Sequence, residues 1–231
     1  MFLQIQTGVN PGFEPTQEPV QKTLSIMELI TSGGVGGIII MSVLFLLFSI
    51  AIYIFFERYQ SISKAGKLDQ NFINSIKAQV SAGKLDAAKA MCASANTPVA
   101  RMIEKGISRI GRPLKDIAAA IENTGKIEVL QLEKNLALLA TISGAAPMIG
   151  FLGTVIGMIL AFHEMAAAGG QIRVDMLAEG IYTAMTTTVA GLLVGIVSYM
   201  SYNILVTKVN NVVYKMEVSA TEFLDLLNEA V

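Results

Sequence analysis

Three long runs without a charged residue constrain this chain more than any other feature. No Asp, Glu, Lys or Arg occurs in residues 29–56, 135–162 or 180–207, and each run is 28 residues long. A helix needs about 20 apolar residues to cross the hydrocarbon layer of a membrane. A membrane β-barrel would instead show short segments of alternating polarity. The sequence therefore predicts an all-α integral membrane protein with three transmembrane helices.

The basic residues between these runs predict the orientation. Residues 57–134 contain 13 Lys and Arg against 8 Asp and Glu, whereas the arm at 1–28 and the loop at 163–179 contain one basic residue each. Basic residues are enriched in cytoplasmic segments. We therefore expect residues 57–134 in the cytoplasm, with the arm and the loop on the opposite side. Since the number of spans is odd, the C-terminal helix at 208–231 is also expected in the cytoplasm.

The segment at 57–134 is predicted to be helical. Gly83 marks a turn, and Pro98 and Pro113 each suit the first turn of a helix. No strong helix breaker follows Pro113 until the second run, so we expect one long helix to continue into the membrane. The tail at 208–231 contains neither Pro nor Gly. Two spans should therefore extend into a cytoplasmic helical bundle. Its charged residues are expected to be solvated, among them Lys115, Glu122, Glu128 and Glu133.

Residues for the common catalytic and metal sites are scarce. The chain has one His (His163) and one Cys (Cys92). This excludes a catalytic triad and a zinc site, and it leaves no intrachain disulfide. Cys92 is expected to be a small buried residue, and His163 a polar residue at the outer membrane boundary. The chain is therefore not expected to be an enzyme, and no cofactor, metal or nucleic acid is expected.

Small residues recur along one face of the second run and along one face of the third. In the second run they are spaced by three and four positions, and in the third by four. Such faces let membrane helices approach closely. The residues expected to serve helix packing are Pro147, Gly150, Gly153, Gly157, Gly191 and Gly195.

Four threonines fall within six residues of the third run, at Thr183 and at 186–188. A membrane threonine often donates to a carbonyl of its own helix, which is a structural role. The alternative is a functional role, in which the hydroxyls form a polar path for an ion, since hydroxyls can ligate water or a small cation. No ionisable residue lies in the charge-free runs, so this chain alone cannot carry a proton across the hydrocarbon on acids or bases.

Two segments carry a recognisable motif, APMIGFLGTVIGMILAF at 146–162 and AEGIYTAMTTTVAGLLVGIVSYMSYN at 178–203. They resemble the second and third spans of the ExbB/TolQ/MotA proton-channel family. LSIMELITSGG before the first run and ERY after it also fit. Three spans make the chain more similar to ExbB and TolQ than to the four-span MotA proteins.

This resemblance implies an ion-channel subunit of a motor in the bacterial inner membrane. Five copies would surround two helices of an ExbD/TolR-like partner whose aspartate takes up and releases the ion. The proton motive force would then act through a TonB/TolA-like protein on outer-membrane transport or maintenance. A non-conducting membrane scaffold that assembles a single-span partner is the alternative from another class.

By the same resemblance, the channel threonines of the family fall on Thr154 and Thr188, with Thr187 nearby. One position departs, because a family glutamate is replaced here by Thr183. The nearest acid, Glu179, lies one helical turn earlier. Either Glu179 substitutes for that glutamate or the partner's acid performs all the ionisation. Whether the ion is a proton or Na⁺ stays open.

Overall fold

The structure, a computed structural model, describes residues 34–67, 70–167 and 174–229. Helices are the regular elements in these residues, and no strand occurs among them, which confirms the all-α prediction. The predicted arm at 1–28 lies outside the described residues. The helices are α1 (Gly34–Ala65), α2 (Gln70–Ser81), α3 (Leu85–Ala95), α4 (Pro98–Ile107), α5 (Leu114–Leu132), α6 (Leu136–Ala167) and α7 (Val174–Glu229).

Three helical stretches in the described part of the chain are long and apolar enough to cross a membrane. They are Gly36–Ala65, Leu114–Ala167 and Gly180–Asn228. The prediction of three transmembrane helices is confirmed. The limits of each span inside these stretches stay predictions, because length and apolarity alone define them.

The third span and the tail form one helix, as predicted. The helix α7 contains 56 residues and is therefore about 84 Å long at 1.5 Å per residue. It begins at Val174, and α6 ends at Ala167, so helix occupies both ends of the predicted loop at 163–179. The length of α7 lets it contact both the membrane helices and the polar helices.

The prediction of one unbroken helix from Pro113 through the second span is wrong. The helix α5 ends at Leu132, and α6 begins at Leu136 after a three-residue interruption. Asn135 has φ 65°, which is the left-handed region. Asparagine is among the few residues that adopt this conformation readily, because its short polar side chain can hydrogen-bond locally. The breaker in the sequence was therefore an asparagine rather than a Gly or Pro.

Within the membrane part, α7 packs along α6, and α1 packs against both. One face of α1 is buried and the opposite face is apolar and exposed, as expected for a helix that meets lipid. The buried face contains Ile40, Leu44, Ala51 and Ile54, and the exposed face contains Phe45, Leu46, Tyr53 and Phe56.

The helices α2–α5 and the segment 208–229 of α7 form a second packed region, which we call the polar bundle. Thr97 caps α4 by accepting a hydrogen bond from the backbone N–H of Ala100. A methyl group added at Gly106 would lie 2.7 Å from Ile121 Cδ1 and 2.9 Å from Phe223 Cε1. The helices α4, α5 and α7 therefore meet closely at this glycine.

Lysines of α7 connect that helix to the end of α1. The Lys208 ammonium donates to the Ser63 hydroxyl at 3.3 Å and lies 4.1 Å from the centre of the Tyr59 ring. Lys215 donates to the Gly66 carbonyl at 3.0 Å. These contacts fix α1 and α7 relative to each other beyond the apolar part of α1.

The prediction that Glu128 is solvated is wrong. Glu128 is 6% exposed and accepts two hydrogen bonds from Arg101, at 2.7 Å from Nε and 2.5 Å from Nη2. The hydrogen bond with Glu128 raises the pKa of Arg101 further above its usual value. Lys115, Glu122 and Glu133 are exposed, as predicted. Glu128 differs because it faces α4 from α5, where only a fork-shaped guanidinium satisfies both of its oxygens.

We expect Arg101→Gln to lower the stability of the chain by about 2 kcal/mol, since it leaves the buried Glu128 carboxylate without its charge-assisted hydrogen bonds. Arg101→Gln/Glu128→Gln should lose less than the single variant. Thermal unfolding of the detergent-solubilised chain measures both. Lys126→Gln is the matched control, because it breaks an exposed pair with Glu122 and should change little. A double variant that is less stable than Arg101→Gln would contradict a buried charge as the cause.

Candidate ion pathway

The helices α6 and α7 run antiparallel, and their small residues face each other within one chain. Contact positions recur about once per helical turn. Their residue numbers rise along α6 while those of the opposing positions on α7 fall. At each step a glycine opposes another small residue or a threonine, so the two backbones come close. The pairs along α6 are Pro147–Gly195, Gly150–Gly191, Gly153–Thr187, Gly157–Ala184 and Ala161–Gly180.

The closest backbone approach lies at Gly150 and Gly191. A methyl group added at Gly191 would lie 2.9 Å from the Gly150 Cα and 2.6 Å from the Ala146 carbonyl oxygen. One added at Gly150 would lie 2.8 Å from the Thr187 carbonyl oxygen. These neighbours are backbone atoms, which cannot turn aside as a flexible side chain would. Any side chain at either glycine therefore separates the two helices.

Pro147 lies inside α6 and opposite Gly195. Proline has no N–H, so the carbonyl of Ser143 loses its usual donor within the helix. A methyl group added at Gly195 would lie 2.6 Å from Pro147 Cγ and 3.1 Å from the Ser143 carbonyl oxygen. The glycine therefore gives the proline ring room against α7.

Two adjacent threonines of α7 converge on one carbonyl of α6. The hydroxyls of Thr187 and Thr188 lie 3.3 Å and 3.2 Å from the Gly150 carbonyl oxygen. Thr187 is 2% exposed and also lies 2.7 Å from the Ala184 carbonyl oxygen of its own helix. Thr188 is half-buried. The structure thus places Thr187 inside the helix interface and Thr188 at its edge.

The hydroxyls of Thr154 and Thr186 donate within their own helices. Thr154 donates to the Phe151 carbonyl at 2.6 Å, and Thr186 donates to the Tyr182 carbonyl at 3.0 Å. Thr154 and Thr186 are half-buried. A hydroxyl that donates still has an oxygen lone pair that can accept a hydrogen bond or ligate a cation. Thr154 and Thr188 therefore keep acceptor capacity at positions that are not fully enclosed.

Glu179 and Thr183 lie on α7, before the threonine cluster, and their side chains lie outside the described residues. The surfaces of α6 and α7 that face away from their contact are apolar and exposed. They include Phe151, Leu152, Val155, Ile159, Val189, Leu192, Leu193 and Ile196.

Sequence reasoning missed one polar residue of this interface. Ser198 is fully buried, and its hydroxyl makes no hydrogen bond to any described residue. It lies three positions after Gly195 and seven after Gly191, so it continues the small-residue face of α7. That spacing was the signal available in the sequence.

The single His and Cys of the chain and its acidic residues were candidates for a metal or reactive site. Among the described residues no group of three His, Cys, Asp or Glu could hold a metal ion. Cys92 is fully buried on α3, and burial raises the pKa of its thiol to about 11. His163 is exposed near the end of α6. At neutral pH the Cys92 thiol is therefore protonated and enclosed, as the sequence predicts for a structural cysteine.

The model of the MotA/TolQ/ExbB proton channel family matches residues 94–218, which include every threonine and glycine of the α6–α7 contact. This match covers more than half of the chain. The chain belongs to the MotA/TolQ/ExbB proton channel family. Its members are channel subunits rather than enzymes. The three apolar helices make this member a multi-pass membrane protein.

Relatives within the family carry ExbB and TolQ names. A putative biopolymer transport protein ExbB homolog of Methanothermobacter thermautotrophicus is 27% identical over 84% of this chain and 67% of its own length. The biopolymer transport protein exbB1 of Vibrio cholerae is 44% identical over 29% of each chain. The Tol-Pal system protein TolQ of Haemophilus influenzae is 39% identical over 36% of each. The two bacterial matches therefore cover about a third of those proteins.

We expect Gly191→Leu to unfold or loosen the α6–α7 pair of this family member, because Leu would meet the backbone of Ala146 and Gly150. The thermal unfolding temperature of the solubilised chain should fall, with a cost of about 3 kcal/mol, the upper part of the range typical of an overpacked core. Gly144→Leu is the matched control, since nothing lies within 4 Å of a methyl group at Gly144 on α6. Equal stability of the Gly191 and Gly144 variants would argue against close packing within one chain.

Proposed function

We propose that this chain is the ion-channel-forming subunit of an inner-membrane motor complex. In this proposal the complex uses the proton motive force to energise outer-membrane transport or maintenance. A single-span ExbD/TolR-like protein would supply the ionising aspartate, and a TonB/TolA-like protein would transmit the motion. Family membership and the ExbB and TolQ relatives support this class of motor.

One observation carries the proposal. Thr188 and Thr187 converge on the Gly150 carbonyl, within the charge-free runs 135–162 of α6 and 180–207 of α7. Hydroxyl and carbonyl oxygens can hydrogen-bond to a water molecule that carries a proton, or they can ligate a hard cation. A carboxylate is absent from both charge-free runs, so the ion needs an acid from another chain. A polar position without its own charge fits a channel wall that a partner completes.

The available energy is sufficient for such a motor. Moving one elementary charge through a membrane potential of 100 mV releases about 2.3 kcal/mol. Several ions per cycle would supply enough free energy to rotate or tilt one component against another. The 56-residue helix α7 offers a rigid link from the membrane to the polar bundle.

Five copies in a ring, with α6 and α7 toward the centre and α1 outside, fit the exposed apolar faces of these helices. A ring buries part of those faces between neighbouring copies and leaves the rest to lipid. The proposal also places the polar bundle in the cytoplasm and residues 163–179 on the opposite side, on the bias of basic residues.

A non-conducting scaffold is the second candidate, and one observation favours it. The hydroxyls of Thr154, Thr186, Thr187 and Thr188 all donate to backbone carbonyls. Threonines that serve only to fix helices would do the same. Removal of a hydroxyl at constant shape distinguishes the two functions.

We expect Thr188→Val and Thr154→Val to reduce motor-dependent growth or uptake about tenfold, the effect of one lost hydrogen bond to a charged group. Val nearly matches Thr in shape, so assembly should persist, and the mass of the purified complex measures this. Thr141→Val is the matched control, because Thr141 is an exposed residue of α6 whose hydroxyl donates to the Ala137 carbonyl. Full activity of the Thr154→Val/Thr188→Val double variant would favour the scaffold.

The missing family glutamate gives a separate expectation. If the partner's aspartate is the ionising group, Thr183→Ala should retain activity and Glu179→Gln should have at most a modest effect. A charge near the aqueous boundary costs little, whereas a carboxylate deep in hydrocarbon costs several kcal/mol unless it is paired. The assay compares Glu179→Gln with a partner variant that lacks its aspartate. An assembled but inactive Glu179→Gln complex would assign the ion relay to Glu179 instead.

A further inference from the structure

A cavity of about 610 Å³ lies where α1, α4 and α5 meet, and we call it the boundary pocket. Its volume falls in the range of small-ligand sites. Its charged wall residues are four cations and one carboxylate. They are Arg58, Lys64, Arg101, Lys134 and Glu128.

Arg58 is the most buried cation of this pocket. It is 8% exposed and lies two residues past the first charge-free run. Its Nη2 contacts the Glu57 carboxylate, and its Nη1 donates to the Gln131 carbonyl at 3.3 Å. Its Nε makes no hydrogen bond to any residue that the structure describes. Arg58 therefore gives the cavity wall a largely buried positive charge, and such a charge favours an anion beside it.

The acids near the pocket are already engaged. Both oxygens of Glu128 accept from Arg101, and Arg101 also donates to the Asn96 side chain at 2.8 Å. Lys64 and Lys134 are exposed, and neither forms an ion pair with a described residue. With Glu57 and Glu128 counted, the four cations leave a net charge of about +2. The pocket is therefore positive.

The N-terminal end of α4 forms another part of the wall. Thr97 and Pro98 line the pocket, and α4 begins at Pro98. The N-terminus of a helix carries a partial positive charge, which favours an anion. This adds to the positive side chains of the wall, of which Arg58 is more than nine-tenths buried.

The pocket also lies at the depth of lipid headgroups. Arg58 is two residues past the charge-free run 29–56, and Lys134 directly precedes the run 135–162. Basic pockets between membrane helices at this depth bind anionic headgroups, and arginine forks match phosphate oxygens.

We propose that the boundary pocket binds a phosphate group, held by Arg58 with Lys64 and Lys134, and that an anionic phospholipid supplies it. This site is separate from the threonine and glycine contact, so its failure leaves the proposed channel untouched. Occupation of the pocket would join the ends of α1 and α5 at the membrane surface, through Arg58 and Lys64 on one side and Lys134 on the other.

Native mass spectrometry of the full chain in detergent tests the proposal. The detergent-solubilised chain is titrated separately with phosphatidylglycerol, phosphatidylcholine and inorganic phosphate. Phosphatidylglycerol should bind in clear preference to phosphatidylcholine. Lys64→Gln/Lys134→Gln should weaken the affinity for phosphatidylglycerol about 30-fold, since each of the two lysines near an anionic surface contributes about one kcal/mol. These exposed lysines make no ion pair among the described residues, so the lysine variant should fold. A substitution of the buried Arg58 could prevent folding, and the test therefore does not depend on one.

Lys105→Gln/Lys115→Gln is the matched control, with the same charge change on exposed residues outside the pocket. The control should bind phosphatidylglycerol as the wild type does. If inorganic phosphate displaces phosphatidylglycerol from the wild type but not from the pocket variant, the pocket binds phosphate and its natural ligand is soluble. Equal occupancy in the pocket variant and the control, or equal loss in both, overturns the proposal.

Discussion

The contact between α6 and α7 depends on the absence of side chains at Gly150 and Gly191, where the two backbones meet. In a membrane, apolar side chains gain little from leaving lipid, so helices associate through close packing and hydrogen bonds between them. The glycines supply the first, and the threonine hydroxyls that reach the Gly150 carbonyl supply the second. Without that approach, Thr187 and Thr188 would have no partner on α6. The polar position inside the membrane is therefore a consequence of packing.

The length of α7 extends this contact beyond the membrane. The same helix that bears the threonines also carries Lys208 and Lys215 against α1, and Phe223 into the core of the polar bundle. A displacement of α6 relative to α7 would thus reach the bundle through one continuous helix. This mechanical continuity suits a subunit of a family of ion-driven channels.

Charge in this protein is arranged by depth. The middle of each span has none, the boundary has basic residues, and the polar bundle has a buried pair between Arg101 and Glu128. A charge in hydrocarbon is expensive, whereas a charge at the surface interacts favourably with headgroups. The boundary pocket lies between the two regions, where a cation is tolerated and an anionic ligand is at hand.

The sequence by itself determined the three spans and the faces of the inner two, because charge and side-chain size are properties of single residues at regular helical spacing. It also indicated the helix starts at Pro98 and next to Pro113. The tertiary structure decided which small residues meet, since register depends on both helices at once. It also placed Glu128 against Arg101, broke the helix at Asn135 and left Arg58 Nε unsatisfied. Each of these depends on neighbours distant in sequence or on a backbone conformation that residue type allows but does not impose.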